Sequence, residues 1–227
     1  MAQVKRYRLD SVKETSCIAI FEFSPIDGKT LDFKPGQFVM LHKDGIKRAY
    51  SLASSPSSEK LRFGIKFIGG QMTNKLAAMK PGDEIGVEGP YGHFAYAQQK
   101  KCVFVAGGSA LIPFISMLKY IDEQKIKGEF YLFYSSKSQN DICFRDFLSS
   151  LSKKGIHCIL TLTRETPARW KGEIGRINED MIRKYVKTPS AFSWYVCGPG
   201  GLVSSIRELA SSLEVKDFKF EGWGIDL

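Results

Sequence analysis

Several common signals are missing from this sequence, and each absence excludes a class of protein. Its five cysteines, Cys17, Cys102, Cys143, Cys158 and Cys197, are odd in number, widely spaced and contain no C-x-x-C pair. That argues against a disulfide framework, a zinc site and an iron–sulfur cluster, and no metal is expected. There is no Lys/Arg-rich run and no nucleic-acid-binding module, so nucleic acid is not an expected partner. The opening stretch, Met1-Ala2-Gln3-Val4-Lys5-Arg6-Tyr7, carries no apolar signal region. The most apolar run, residues 103–118, is broken by Gly107, Gly108 and Pro113 and is too short to span a bilayer. No membrane insertion and a cytoplasmic location are the expectation. Internal repeats and low-complexity tracts are lacking as well, and so is the G-x-G-x-x-G fingerprint.

What remains is enough for a well-packed protein of one large or two small domains. Of 227 residues 43% are hydrophobic and 12% aromatic, including 16 Phe, a composition that suits strands and a sizeable core. The net charge is +9. Residues 1–97 hold 14 Lys and Arg against 10 Asp and Glu, and the remainder 19 against 14. An excess spread so evenly reads either as a solvated surface or as a shallow basic surface that steers an acidic partner or phosphorylated ligand.

Two rhythms divide the chain. Up to about residue 97, strand candidates at 4–9, 17–23, 37–42, 47–52, 61–68 and 84–88 are separated by the turn signals Asp27-Gly28, Pro35-Gly36, Asp44-Gly45 and Pro81-Gly82. Six short strands predict a small antiparallel β-barrel, interrupted by a short helix at about 72–79. From Lys101 a continuous apolar run, 102–106, fits a strand buried on both faces. Helices and strands then alternate, with strands at 130–134, 157–162, 194–197 and 218–220. This predicts an α/β domain with a doubly wound parallel sheet of five strands. The expected domains are residues 1–98 and 99–227.

Four places carry chemistry-bearing residues. Arg48-Ala49-Tyr50-Ser51 puts a cation, an aromatic face and a hydroxyl within one strand. The turn Gly107-Gly108-Ser109, directly after the first buried strand, is either a phosphate-binding helix start or a tight turn. Gly69-Gly70-Gln71-Met72-Thr73 opens the short helix, as a second cradle or as a plain capped start. At the carboxyl edge of the parallel sheet lie Thr163 with Arg164, then Arg176, and Cys197-Gly198-Pro199. The cations there suit a ribose 2′-phosphate or are surface charge, and Cys197 is a site residue or a small buried hydrophobe.

In this order, RAYSLASS at 48–55, GGQMT at 69–73, EGPYGHF at 88–94, GGSALIP at 107–113, YSSK at 134–137, TRE with GRI within 163–177 and YVCGPG at 195–200 resemble the ferredoxin–NADP reductase superfamily over essentially the whole chain. The resemblance implies an FAD-binding barrel followed by an NAD(P)-binding domain, with no iron–sulfur domain in this chain. It implies that Arg48 pairs with the FAD pyrophosphate, that Tyr50 packs on the isoalloxazine, and that the Ser51 hydroxyl faces flavin N5. Ala49, Lys66 and Phe67 join the FAD surroundings, and the backbone of Gly70, Gln71, Met72 and Thr73 holds its pyrophosphate. Gly107, Gly108 and Ser109 would hold the nicotinamide cofactor's pyrophosphate. Thr163, Arg164, Arg176, Gly198 and Pro199 would bind the rest of NADPH or NADH, with Cys197 lining the nicotinamide site. Glu221 and Trp223 match the Glu and aromatic that family members place near the flavin, Glu221 as a catalytic group beside Ser51 and Cys197. Two departures stand out: Ser109-Ala110 replaces Thr-Gly, and Lys137 replaces Arg. The implied activity is hydride transfer from NAD(P)H to FAD, with electrons passed to a separate acidic carrier such as ferredoxin or flavodoxin. Two further readings are an NAD(P)H:flavin reductase and an electron-transfer subunit of a larger oxidoreductase or oxygenase complex.

Overall fold

The computed structural model describes residues 3–223, apart from the side chain of Trp223. The chain divides into two compact units. The first comprises residues 1–96 and 112–124, the second residues 97–111 and 125–227.

The first unit is built on six antiparallel strands: β1 (Lys5–Glu14), β2 (Ala19–Pro25), β3 (Phe38–Lys43), β4 (Ile46–Ser51), β5 (Leu61–Ile65) and β6 (Glu84–Tyr91). Their order across the sheet is β4-β3-β6-β1-β2-β5. The two edge strands meet just past the end of β4. Ala53 N donates to Arg62 O at 2.7 Å, and Arg62 N donates to Ser54 Oγ at 3.2 Å, which draws the sheet towards a barrel. Alternation fills the inside: Tyr7, Leu9, Phe21, Phe23, Val39, Leu41, Phe63 and Val87 are all buried. β1 runs five residues past its expected end because residues 11–14 go on pairing with residues 19–22 of β2 after a bulge between Leu9 and Ser11. β5 ends at Ile65, so Lys66 and Phe67 leave the sheet as exposed residues.

One short helix, α1 (Gln71–Ala77), buries Met72, Thr73 and Leu76 and packs against β4. A second, α2 (Ile112–Glu123), belongs to this unit by its contacts although it lies far along the chain. Phe114 meets Phe94 edge-on at 5.7 Å, and Tyr120 meets Tyr96 at 6.4 Å. Gly64 allows the approach, since a Cβ there would sit 2.3 Å from Ile112 Cδ1.

The second unit has a parallel six-stranded sheet in the order β10-β9-β8-β7-β11-β12. Its strands are β7 (Lys101–Gly107), β8 (Glu129–Ser136), β9 (Ile156–Leu162), β10 (Glu173–Ile174), β11 (Ser193–Pro199) and β12 (Phe218–Trp223). The sequence predicts five strands here; β10 is the sixth. It is two residues long, bounded by Gly172 and Gly175, and too short to show any periodicity. Helices α3 (Arg145–Ser152), α4 (Glu179–Tyr185) and α5 (Gly200–Ser212) link the strands. α4 starts where Asn178 accepts a hydrogen bond from Met181 N at 2.9 Å. Val203, Ile206 and Ala210 of α5 join Met181 and Ile182 of α4 over the central strands. Among the described residues no helix is long and apolar enough to cross a membrane.

Candidate functional site

The first group of candidate residues lies on and beside β4. The β3–β4 register sets Arg48 opposite Leu41, Tyr50 opposite Val39 and Ser51 opposite Phe38. Directly opposed residues share a face, so Arg48 and Tyr50 project on the side of two fully buried residues. β4 is an edge strand, and this leaves Arg48 and Ala49 exposed while Tyr50 and Ser51 are half-buried. Tyr50 packs on the barrel core. Burial raises its phenol pKa, and the nearby Arg48 charge works against that rise. Arg48 donates to the Lys47 carbonyl at 2.8 Å and forms no ion pair with a carboxylate among the described residues. A cation next to a half-buried aromatic face is thus left for a ligand.

α1 packs on the same strand, and Lys75 near its end reaches Asp44 of the β3–β4 turn at 3.1 Å. Its start has no side-chain cap. The Thr73 hydroxyl turns back instead and donates to the Gly70 carbonyl at 2.9 Å. The first amides of the helix therefore have no capping oxygen from the chain, a donor set that suits an anion. Phe67 and Ile68 precede this turn as exposed apolar residues. Cation, open amides and aromatic face together fit the pyrophosphate and ring of FAD.

A cluster that sequence motifs did not assign stands next to these residues. The Glu88 carboxylate on β6 takes Lys47 Nζ at 2.6 Å, His42 Nε2 at 2.7 Å and the Tyr91 hydroxyl. The Lys47 ammonium, followed by the Tyr91 hydroxyl and His42, holds its pKa down at about 2. Tyr91 in turn packs on Phe38 at 6.0 Å, and Phe38 is the cross-strand neighbour of Ser51. The cluster fixes the strand beside Ser51. Its members come from β3, β4 and β6, so only a paired sheet assembles them.

The second group lies at the carboxyl edge of the parallel sheet. The chain proceeds from β7 outward through β8, β9 and β10, then returns to pair β11 on the other side of β7. That reversal is the point where open α/β sheets bind ligands. Gly107 ends β7 and runs into a 3-10 turn over Gly108–Leu111 before α2 begins. Gly108 has φ +58° and nothing within 4 Å of where a Cβ would be, which leaves its backbone open to close approach. On the other side of the reversal Cys197 pairs in register with Ala106 and Glu221. Burial pushes the Cys197 thiol far up, with the Glu221 charge adding to it. Glu221 is itself partly buried, and burial raises its carboxyl pKa. Gly198 and Pro199 complete β11 and lead into α5. Trp223 ends β12, but its side chain lies outside the described residues.

Lys137, Arg164 and Arg176 leave the carboxyl ends of three adjacent strands. Arg164 N donates to Lys137 O at 3.0 Å, and the Thr163 amide and hydroxyl both donate to Ser136 O, at 2.9 and 3.2 Å. None of the three cations forms an ion pair among the described residues. The open glycine turn and this cation row fit a phosphorylated dinucleotide.

The family described as "Oxidoreductase FAD-binding domain" matches residues 8–96, and the one described as "Oxidoreductase NAD-binding domain" matches residues 104–208. The chain is 29% identical to the anthranilate 1,2-dioxygenase electron transfer component of Acinetobacter baylyi, over 92% of this chain and 62% of that protein. It is 30% identical to ferredoxin–NADP reductase B of Sorangium cellulosum, over 83% of each. Its fold matches the flavohem-like FAD/NAD-binding domain of nitric oxide dioxygenase from Vibrio cholerae, with a TM-score of 0.87 at 20% identity over 97% of this chain and 99% of that one. The chain spans about three fifths of the length of the first curated relatives it matches.

Proposed function

This chain belongs to the ferredoxin reductase-like oxidoreductases, which join an FAD-binding to an NAD-binding domain, and on that premise we propose that it passes electrons from NADPH or NADH through FAD to a separate acidic carrier. A ferredoxin or flavodoxin is the carrier this reading favours, and the net charge of +9 suits an acidic partner. Residues 1–98 serve as the FAD domain and residues 99–227 as the NAD(P) domain, although α2 of the latter packs within the first compact unit.

One observation carries the reading. Arg48, unpaired with any carboxylate among the described residues, lies on the strand against which the uncapped α1 packs. A cation and uncapped helix amides carried on two elements that pack together are a donor set that suits a pyrophosphate.

Bound FAD supplies acceptance of two electrons as a hydride and their release one at a time. The chain's own residues hold and orient. Arg48 and the backbone of Gly70, Gln71, Met72 and Thr73 bind the pyrophosphate, with Ala49, Lys66 and Phe67 alongside. Tyr50 offers its ring for stacking, and Ser51 places a hydroxyl that donates a hydrogen bond at flavin N5. Gly107, Gly108 and Ser109 bind the nicotinamide cofactor's phosphates through backbone amides. Cys197, with Gly198 and Pro199, lines the nicotinamide site. Its raised pKa keeps the thiol protonated, so it acts as a packing wall and not as a nucleophile. Glu221, whose burial favours the protonated form, can hold a proton at the same edge. Thr163, Arg164 and Arg176 bind the ribose end, and the two arginines there favour the 2′-phosphate of NADPH.

Gel filtration of the FAD-loaded protein tests the central assignment. The reading expects FAD to co-elute with the chain; FAD that separates as free ligand would make the protein a flavin reductase instead. A second reading, an electron-transfer component of a larger complex, is favoured by similarity to proteins described as an electron transfer component of anthranilate 1,2-dioxygenase and a reductase component of propane 2-monooxygenase. Ferricyanide reduction by the isolated chain with NAD(P)H distinguishes them, since a pure relay component shows little.

A further inference from the structure

The strand carrying Tyr50 and Ser51 runs directly into Leu52-Ala53-Ser54-Ser55, four residues that are all but fully buried. This is the stretch that joins β4 to β5 across the sheet's edges. It is also tied to α2, and the residues just beyond it to the residue that follows the helix. Lys119 Nζ donates to the Ala53 carbonyl at 2.9 Å, and Gln124 Nε2 just past the helix donates to Ser57 Oγ at 3.1 Å. The rest of α2 is buried from Ile112 to Leu118, so the helix is a rigid platform for the lysine. A lysine reaching along a buried helix to a backbone carbonyl is an unusual use of a charge, because ammonium groups ordinarily stay in water.

We infer that Lys119 is a positioning residue: its ammonium holds the backbone at Ala53, two residues past Ser51, and thereby fixes the Tyr50 and Ser51 side chains for hydride transfer. The inference rests on the proposed function and extends it to a residue in neither glycine turn nor the β4 motif. Other charges around the ammonium are Arg62 on β5, Glu22 on β2 and Glu123 on α2. Burial lowers the Lys119 pKa to about 8, Arg62 adds to the fall, and the two carboxylates oppose it. Raising the pH through about 8 therefore turns a charge-assisted bond into a weaker neutral one. Folding stability moves the other way. The folded chain binds fewer protons here than the unfolded chain between about 8 and the ordinary 10.5, so this group raises stability as pH rises. Rate and stability thus separate a positioning role from a merely structural one.

The experiment is stopped-flow reduction of the FAD-loaded protein by NADPH from pH 6.5 to 9.5, in wild type, Lys119→Met and Lys119→Arg, with thermal melts and amide hydrogen exchange of all three without flavin. Wild type is expected to slow as pH rises through about 8. Lys119→Met should be slower by about 10-fold at pH 7 and flat with pH, since small misplacements of a reacting group cost that much. Lys119→Arg should keep the rate and lose the fall. Exchange at residues 52–55 should quicken in Lys119→Met without a lower melting temperature. A Lys119→Met protein with wild-type rate, pH profile and exchange overturns the inference. If wild type takes up no FAD, the proposed function fails, and exchange at residues 52–55 alone decides whether Lys119 holds that segment.

Discussion

The two candidate sites, one in each compact unit, offer different parts of the chain for the proposed task of holding a dinucleotide. On the flavin side, Arg48, Tyr50 and Ser51 present side chains from an exposed edge strand, and only α1 contributes backbone. On the nicotinamide side, the reversal point is made of backbone: Gly107, the open Gly108 turn, and a β11 end whose Cys197 is buried and held protonated. An edge strand of an antiparallel sheet exposes alternate side chains, whereas the carboxyl ends of a parallel sheet expose loops and helix starts. The flavin half should therefore be brittle to single side-chain changes, and the nicotinamide half tolerant of them except where charge selects the cofactor.

The sharpest way to break that contrast is Ser51→Ala. It should leave FAD bound and slow its reduction by about 100-fold, the usual loss for one preorganised donor at a reacting atom. An unchanged single-turnover rate removes Ser51 from the chemistry. Arg48→Ala comes next, with FAD affinity falling roughly 10- to 100-fold as a charge-assisted phosphate contact is lost. Titration of the apoprotein by flavin fluorescence reads this directly. Arg164→Ala probes the other half: kcat/KM for NADPH should drop by about 10-fold while that for NADH stays within about 2-fold, the ratio expected from one cation. Equal losses for both cofactors would assign Arg164 to the shared part of the dinucleotide. Smallest is Glu88→Gln, which should lower the melting temperature at pH 7 but not near pH 2. Glu88 is depressed to about 2 from an ordinary 4.5, so its contribution is complete above 4.5 and disappears as pH falls towards 2. A Glu88→Gln difference that persists at pH 2 would contradict the Lys47–Tyr91–His42 clasp.

Much of this architecture is legible in the residues themselves. Asp27-Gly28, Asp44-Gly45 and Pro81-Gly82 punctuate the first sheet, and the glycines of all three turns have positive φ. The run 102–106 announces β7 because a strand covered on both faces needs no polar side. Asn178 marks the start of α4 by capping it. What the sequence conceals is whatever depends on distant pairing. β10 exists only because two residues lie along β9 in parallel register. The Glu88 clasp joins residues 41 and 46 positions apart in the chain. Lys119 meets Ala53 across 66 residues, and nothing but the apolar run before it sets that lysine apart in sequence. The candidate β4 residues were legible as a motif, yet the exposure of Arg48 and the partial burial of Tyr50 come from β4 being an edge strand, a fact of sheet order.

The most direct test of the account is anaerobic mixing of the FAD-loaded chain with one equivalent of NADPH while the bound flavin's visible absorbance is followed. Rapid bleaching of that absorbance is expected, followed by its recovery when an acidic one-electron carrier is added. A chain that holds FAD but shows no bleaching with either NADPH or NADH would contradict it.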